Sequence, residues 1–347
     1  FKADRVAKIP GRYGVLHRIL QAAIIMYLIY SIIMSELYLK KELPIPGAVR
    51  TTLKESDNFS TPSYCTGQLP CVFWSANEIQ YPSDGESFAF FTTRASVINY
   101  PSLPGCSFLK ATSRSDHCFF KAANNATTIL PPSYIVGIEN FTVMIEHSIR
   151  GKVTSIALRN GLMDGELMSF DGKSLRTITN ATRMASNPKA DGDIFTVQEL
   201  LTAAGANLDS PSTAPGADKT ANETYRSSGI VIVVVIEYRN VLYKNDVISY
   251  KYLPRLIDGN EYKVLENIYN VTDGSFTIID RHGIRFIFQQ HGSIGEFDLI
   301  TLLTSIVASF ALFGGANLIV EIIISLTKKD YERVKYFEDL EQQRLEK

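Results

Sequence analysis

The run from Phe297 to Thr327 constrains this chain more than any other stretch. Its thirty-one residues carry only Asp298, Asn317 and Glu321 as strongly polar interruptions. A helix rises about 1.5 Å per residue, so roughly 20 residues cross a hydrocarbon core about 30 Å thick. A second apolar run, Val15 to Tyr38, lies near the other end. The net charge of -1 and mean hydropathy of +0.01 resemble those of an ordinary soluble protein. They conceal the pattern because the hydrophobicity is gathered at the two ends. The first run exceeds the roughly 7 to 15 apolar residues of a signal-peptide core. No small-residue cleavage site follows it before "SELYLKKELPIPG", so it is expected to remain as a span.

Two spans place both ends on one side of a lipid bilayer. Basic residues crowd both outer flanks, with Lys2, Arg5, Lys8, Arg12 and Arg18 at one end and Lys328, Lys329, Arg333 and Lys335 at the other. That bias predicts cytoplasmic termini. The expected division is a cytoplasmic N-terminus over 1–14, a transmembrane helix over 15–38, an extracellular domain over 39–296, a second transmembrane helix over 297–327 and a cytoplasmic tail over 328–347. Six N-x-Ser/Thr sequons, at Asn58, Asn125, Asn140, Asn180, Asn222 and Asn270, all fall between the spans. They point to a glycosylated domain outside the cytoplasm. All four cysteines lie there too. In an oxidising compartment proximity favours Cys65 with Cys71 and Cys106 with Cys118, one of three possible connectivities. Their spacings contain no C-x-x-C pair of the kind that holds zinc.

Between the spans the sequence reads mainly as strands. "ESFAFFTTRASVINY", "SYIVGIENFTVMIEHSI", "GIVIVVVIEYRNVLY", "NDVISYKYLPRL" and "GSFTIIDRHGIRFIFQQHG" are rich in β-branched and aromatic residues and are bounded by turn formers. One helix is predicted, Thr196 to Ala206. The composition of "NLDSPSTAPGADKTANETYRSSG" predicts a flexible loop.

Two helices enclose no lumen, so conduction would require an oligomer. In the second span Thr301, Thr304, Ser305, Ala308, Ser309, Leu312, Asn317 and Glu321 recur at spacings of three to five and share one broad face. Small and polar residues also suit helix packing. A carboxylate within a span costs about 2.5 to 3.5 kcal/mol near the bilayer centre and normally faces a bundle interior or water, so Glu321 favours an ion path. Gly314 and Gly315 would let the helix bend.

Five stretches carry a resemblance: "ENFTVMIEHSI" (Glu139 to Ile149), "IFTVQELLTAAG" (Ile194 to Gly205), "HGIRFIFQQHGSIGEFDLI" (His282 to Ile300), "ALFGGANLIVE" (Ala311 to Glu321) and "YERVK" with its tail motif Tyr331 and Lys335. In this order the chain resembles the ionotropic purinergic receptors, trimeric ATP-gated cation channels. The resemblance implies a homotrimer that binds ATP between subunits and passes Na+, K+ and Ca2+. Thr142 matches the family threonine that reads adenine. Lys54 matches one lysine of the K-x-K pair, whose first lysine aligns with Thr52. Lys263 falls at the N-F-R arginine. The lysine before G-I-R-F aligns with Asp280, with Arg281 one residue away. The expected ATP site is therefore Lys54, Thr142, Lys263 and Arg281. ATP brings roughly four negative charges, so such cations must converge on it. Glu146 stands at a family lysine position and Glu261 at the N-F-R asparagine. Arg150 or Lys152 could compensate Glu146, or Glu146 could hold a divalent cation such as Mg2+ carried by the nucleotide. The expected constriction is Thr304, Ser305, Ala308, Ser309 and Leu312, with Glu321 in the ion path.

A trimeric channel of the epithelial sodium or acid-sensing type shares this topology but is typically richer in cysteine. An ecto-nucleotidase would need a Gly-rich phosphate loop and acidic metal ligands, which the sequence does not offer. The expected protein is a mainly β ectodomain between two membrane helices, not an enzyme, with no cofactor beyond its agonist and no nucleic-acid partner, in the plasma membrane.

Overall fold

The structure is a computed structural model that describes residues 12–56, 62–66, 70–83, 85–102, 105–106, 112–113, 115–116, 118, 128–179, 192–241, 244–272 and 275–326. It divides into two units. One comprises Glu42–Val241 with Val247–Ile294, and the other Phe1–Lys41, Leu242–Asp246 and Gly295–Lys347.

The first of these is β-rich because its apolar residues alternate. Along Ile230–Val241 every second side chain is buried, from Ile230 through Ile232, Val234 and Ile236 to Tyr238. That period of two is the signature of a pleated strand packed on one face. Among the described residues an eleven-stranded sheet runs Ser174–Ile178, Asp164–Met168, Lys244–Leu256, Ile230–Val241, Phe276–Phe297, Phe88–Tyr100, Ser133–Ile135 and Cys71–Val72, with three more strands off this path. Ile230–Val241 lies parallel to Phe276–Phe297, Ile230 opposite Ile284. Phe88–Tyr100 lies antiparallel to the same strand, whose register shifts at His282 and Gly283. A Cβ at Gly283 would collide with the carbonyl oxygen of Phe91, so the close approach at this bulge demands glycine.

Two three-stranded sheets complete the unit, one ordered Asp193–Thr196, Thr142–Glu146, Arg50–Lys54 and the other Ala157–Arg159, Ser148–Arg150, Ile45–Pro46. Their inner residues, among them Leu53, Val143, Ile145 and Phe195, join Ile232, Val234 and Phe286 in one core. Each such side chain contributes about 1.5 to 3 kcal/mol of apolar burial. The stretch read as one strand from Ser133 to Ile149 is broken by a short turn of 3-10 helix at Ile138–Asn140 and by a break at His147.

The predicted helix is found at Val197–Ala204. Thr196 caps it, its hydroxyl accepting from Glu199 N at 3.0 Å while Glu199 Oε2 accepts from Thr196 N at 2.8 Å. Gly205 ends it in the left-handed conformation at φ 72°. The loop after it differs from expectation. Its composition promised flexibility, yet Arg226 is buried, bonding Asp209 at 2.7 Å, pairing with Glu139 and lying 3.7 Å over the Tyr64 ring. Asp218 accepts from the amides of Thr220 and Ala221. Polar side chains here satisfy the backbone locally, which composition alone does not reveal. Disulfides join Cys65 to Cys71 and Cys106 to Cys118.

The other unit holds two helices, Arg12–Met34 and Leu299–Leu326, both shorter than the apolar runs that contain most of them. Asp298 caps the second, its Oδ2 accepting from Thr301 N at 2.9 Å. Many side chains in these helices lie outside the described residues, Leu312, Gly314 and Glu321 among them. Among the described residues, no helix is long and apolar enough to cross a membrane.

Candidate functional site

The outer face of the sheet Asp193–Thr196, Thr142–Glu146, Arg50–Lys54 gathers half of the expected nucleotide residues. In its antiparallel register Lys54 stands opposite Thr142, Thr52 opposite Met144 and Arg50 opposite Glu146. Burial alternates along both strands, with Thr51, Leu53, Val143 and Ile145 inside and the other residues facing outward. The Thr142 hydroxyl points to the Lys54 carbonyl at a long 3.4 Å. Glu146 therefore shares a face with Lys54 and Thr142, as period-two alternation requires. The cation opposite it is Arg50, which the sequence did not single out; Arg150 lies on the next strand, in the other small sheet. Gly192 keeps the space beside Glu146 open, since a Cβ there would lie 3.1 Å from Glu146 Cγ.

Lys263 belongs to the large sheet, so among the described residues no strand ladder joins it to Lys54. It is exposed at the start of Lys263–Tyr269 and stands opposite His282, which in turn stands opposite Arg94. Lys263, His282 and Arg94 thus form a row across three strands on one face. His282 and Arg94 were not expected in the site, because the pairing spans almost two hundred residues of sequence. Burial, then the Arg94 charge, lower the His282 pKa from its usual value, against the Ser228 carbonyl and Asp280. Asp280 lies two residues before His282 and shares this face, so a carboxylate stands where the family has a lysine.

Arg281 points the other way, and its surroundings argue against the expected role. It is 5% exposed. Its Nε donates to Glu266 Oε2 at 2.8 Å, its second terminal nitrogen pairs with the same carboxylate, and its Nη1 donates to the Glu78 carbonyl at 2.7 Å. The guanidinium also lies 4.8 Å over the Trp74 ring. A side chain with its donors committed inside the core does not present them to a phosphate.

In the second helix the expected constriction divides. Thr304 and Ala308 are exposed in the single chain, whereas Ser305 and Ser309 are half-buried. The Ser305 hydroxyl bonds the Thr301 carbonyl at 2.8 Å and the Leu37 carbonyl at 3.1 Å, and Ser309 bonds the Ser305 carbonyl at 2.6 Å. Ser305 thus ties the helix to the chain segment after Met34, a packing role that helical spacing cannot distinguish from a pore role. The side chains of Leu312 and Glu321, and all of Tyr331 and Lys335, lie outside the described residues. Of the sequons, Asn140, Asn222 and Asn270 are exposed, and Asn58, Asn125 and Asn180 lie outside the described residues.

No protein-family model matches the chain. It is 30% identical over 344 residues to P2X receptor E of Dictyostelium discoideum, covering 94% of this chain and 84% of that protein. P2X receptor A of the same organism is 30% identical over 342 residues, covering 94% and 86%. Among solved structures, the chicken ATP-gated P2X7 receptor channel, bound to the competitive antagonist TNP-ATP, aligns with a TM-score of 0.53 at 17% identity, over 90% of this chain and 99% of that one. A P2X receptor from the Gulf Coast tick, solved with ATP and Zn2+, aligns with a TM-score of 0.50 at 16% identity, over 89% and 99%. The two structures establish the shared fold. With identity at this level along nearly its whole length, the chain belongs to the P2X receptor family.

Proposed function

We propose that this chain forms a homotrimeric, ATP-gated, cation-selective channel of the plasma membrane, with both termini cytoplasmic. The observation that carries the reading is the register of Lys54 against Thr142, which sets side by side on one outward face the two residues that the resemblance assigns to the nucleotide. Lys263 on a separate sheet supplies the second half of the site from the neighbouring subunit. The apolar runs 15–38 and 297–327 are read as the two spans, each longer than the roughly 20 residues that cross a hydrocarbon core. Thr304 and Ala308 line the constriction, and Glu321 attracts cations near its cytoplasmic mouth.

The ligand is the nucleotide with its divalent cation. Glu146 and Asp280 occupy two family lysine positions on the ligand faces, and bare phosphates would meet repulsion there. Mg2+ on the phosphates removes two negative charges and gives Glu146 an oxygen-seeking partner. Binding opens the channel by drawing subunits together and moving the strand Phe276–Phe297, which leads to the second helix one residue after it ends. Shifting a channel from about 1% to 99% open takes roughly 5.5 kcal/mol of differential affinity, shared here among three sites. Recording whole-cell current during ATP application tests the reading. An inward cation current whose ATP potency falls by about tenfold or more in Lys54→Ala supports it, and silence from surface-expressed channels refutes it.

A further inference from the structure

Beneath the ligand-facing sheet lies a polar network, buried at His147, Tyr238 and Asp193 and half-buried at Gln290, that neither nucleotide binding nor permeation uses directly. His147 follows Glu146 and is 2% exposed. Its Nδ1 lies 2.7 Å from Tyr238 Oη. Gln290 Nε2 lies 2.8 Å from the same hydroxyl and 3.0 Å from the Ser148 carbonyl. A carbonyl only accepts, so the amide nitrogen of Gln290 faces Ser148, and both of its hydrogens are committed. Tyr238 accepts from Gln290 and shares a second hydrogen bond with His147 Nδ1, whose direction is set by the imidazole tautomer. The hydrogen bonds link the strand Phe276–Phe297 to the residue that follows the ligand-facing strand. On the other side of His147, Asp193 Oδ2 accepts from Tyr250 Oη at 2.5 Å, Tyr252 Oη at 2.7 Å and Asn160 Nδ2 at 3.1 Å. Asn160 also donates to the Ile145 carbonyl at 2.9 Å.

Gln290 is half-buried at its position in the sheet. Ile236 stands opposite it in the parallel ladder, and Tyr238 stands opposite Gly292. A Cβ at Gly292 would collide with the Tyr238 carbonyl oxygen, so the two strands approach too closely here for one to slide independently. Hydrogen bonds of this kind favour one arrangement of the groups they join, and a displaced member leaves its partners unpaired. Any shift of the segment Thr142–Ser148 on nucleotide binding is thereby imposed on Gln290.

We propose that Gln290 is a positioning residue of gating, which passes displacement of the nucleotide-facing strand to the strand entering the second helix through His147, Tyr238 and Ser148. The inference rests on the function proposed above, and ATP-evoked current from the unsubstituted channel tests that function separately. Gln290→Met and Tyr238→Phe keep size and shape while removing the donors and the hydroxyl. In full-length channels, single-channel recording at saturating ATP gives the opening equilibrium constant, and TNP-ATP, a competitive antagonist, reports nucleotide affinity without opening. The expected result is a fall in the opening constant of about fivefold or more, with TNP-ATP affinity within about twofold of the unsubstituted channel. If Gln290→Met does not reach the surface, Tyr238→Phe retains the ring and gives the same reading. An unchanged opening constant in channels that reach the surface, or a loss of TNP-ATP binding in step with the opening constant, would overturn the proposal.

Discussion

Arg50 stands directly opposite Glu146 in the antiparallel ladder that carries Lys54 and Thr142. The carboxylate at a family lysine position is therefore not isolated: a cation faces it across the strand, and a divalent ion on the nucleotide can approach it from solvent. The account predicts that Glu146→Gln lowers ATP potency several-fold in millimolar magnesium and leaves it unchanged in chelator. Dose-response curves in the two solutions decide the matter. A rise in potency in both would show that Glu146 merely repels phosphate.

Lys54→Ala and Lys263→Ala should each reduce ATP potency by at least tenfold while sparing surface expression. Each removes a charge-assisted contact worth about 1.5 to 3 kcal/mol from an exposed side chain that supports no core. Surface biotinylation alongside current recording separates binding from folding, and unchanged potency in both variants would refute the site.

Arg281→Ala should behave differently, because it leaves Glu266 without its partner at the edge of the core. Breaking a buried pair costs about 3 to 5 kcal/mol. The expected outcome is loss of folded, surface-expressed protein. Normal expression with weakened ATP potency would instead return Arg281 to the nucleotide site.

Glu42 grips the turn after the strand Ser148–Arg150. Its Oε2 accepts from the amides of Lys152 at 3.0 Å and Val153 at 2.7 Å, and its Oε1 from the Thr154 amide at 3.0 Å and the Thr154 hydroxyl. Burial pushes the carboxyl up, but the Thr154 hydroxyl and these amides outweigh it and hold the pKa below its usual value. The folded state therefore binds the proton less tightly than the unfolded chain. The stabilisation is fully present above the ordinary glutamate value and is lost as pH falls through the lowered one. Glu42→Ala should lower unfolding stability by about 1 kcal/mol or less at neutral pH, because water screens this carboxylate, and the gap should close in acid. A gap independent of pH would contradict the grip.

Much of the fold was legible in the sequence because its signals are local. The alternation of Ile230–Val241 and the reciprocal Thr196 and Glu199 cap each lie within a dozen residues. What escaped depends on register between distant strands. Arg50 faces Glu146, and His282 faces Arg94, only because particular residues pair across long separations. Arg281 and Asp280 are neighbours in sequence, so a one-residue slip seemed able to restore a lost lysine. In a strand that slip turns the side chain to the opposite face, and Arg281 meets Glu266, Trp74 and the Glu78 carbonyl there. The serine at 305 reads as pore-lining by helical spacing, and its bond to the Leu37 carbonyl is a contact that spacing does not reveal.

The central claim is that this chain alone makes an ATP-gated cation pore. Purified protein in a planar bilayer, where no other channel contributes, tests it most directly. With Na+ on one side and a large impermeant cation on the other, magnesium and ATP should evoke a current whose reversal potential follows the Na+ gradient and not the Cl- gradient. A bilayer that contains the protein but stays silent on ATP, or a current that reverses with Cl-, would contradict the account.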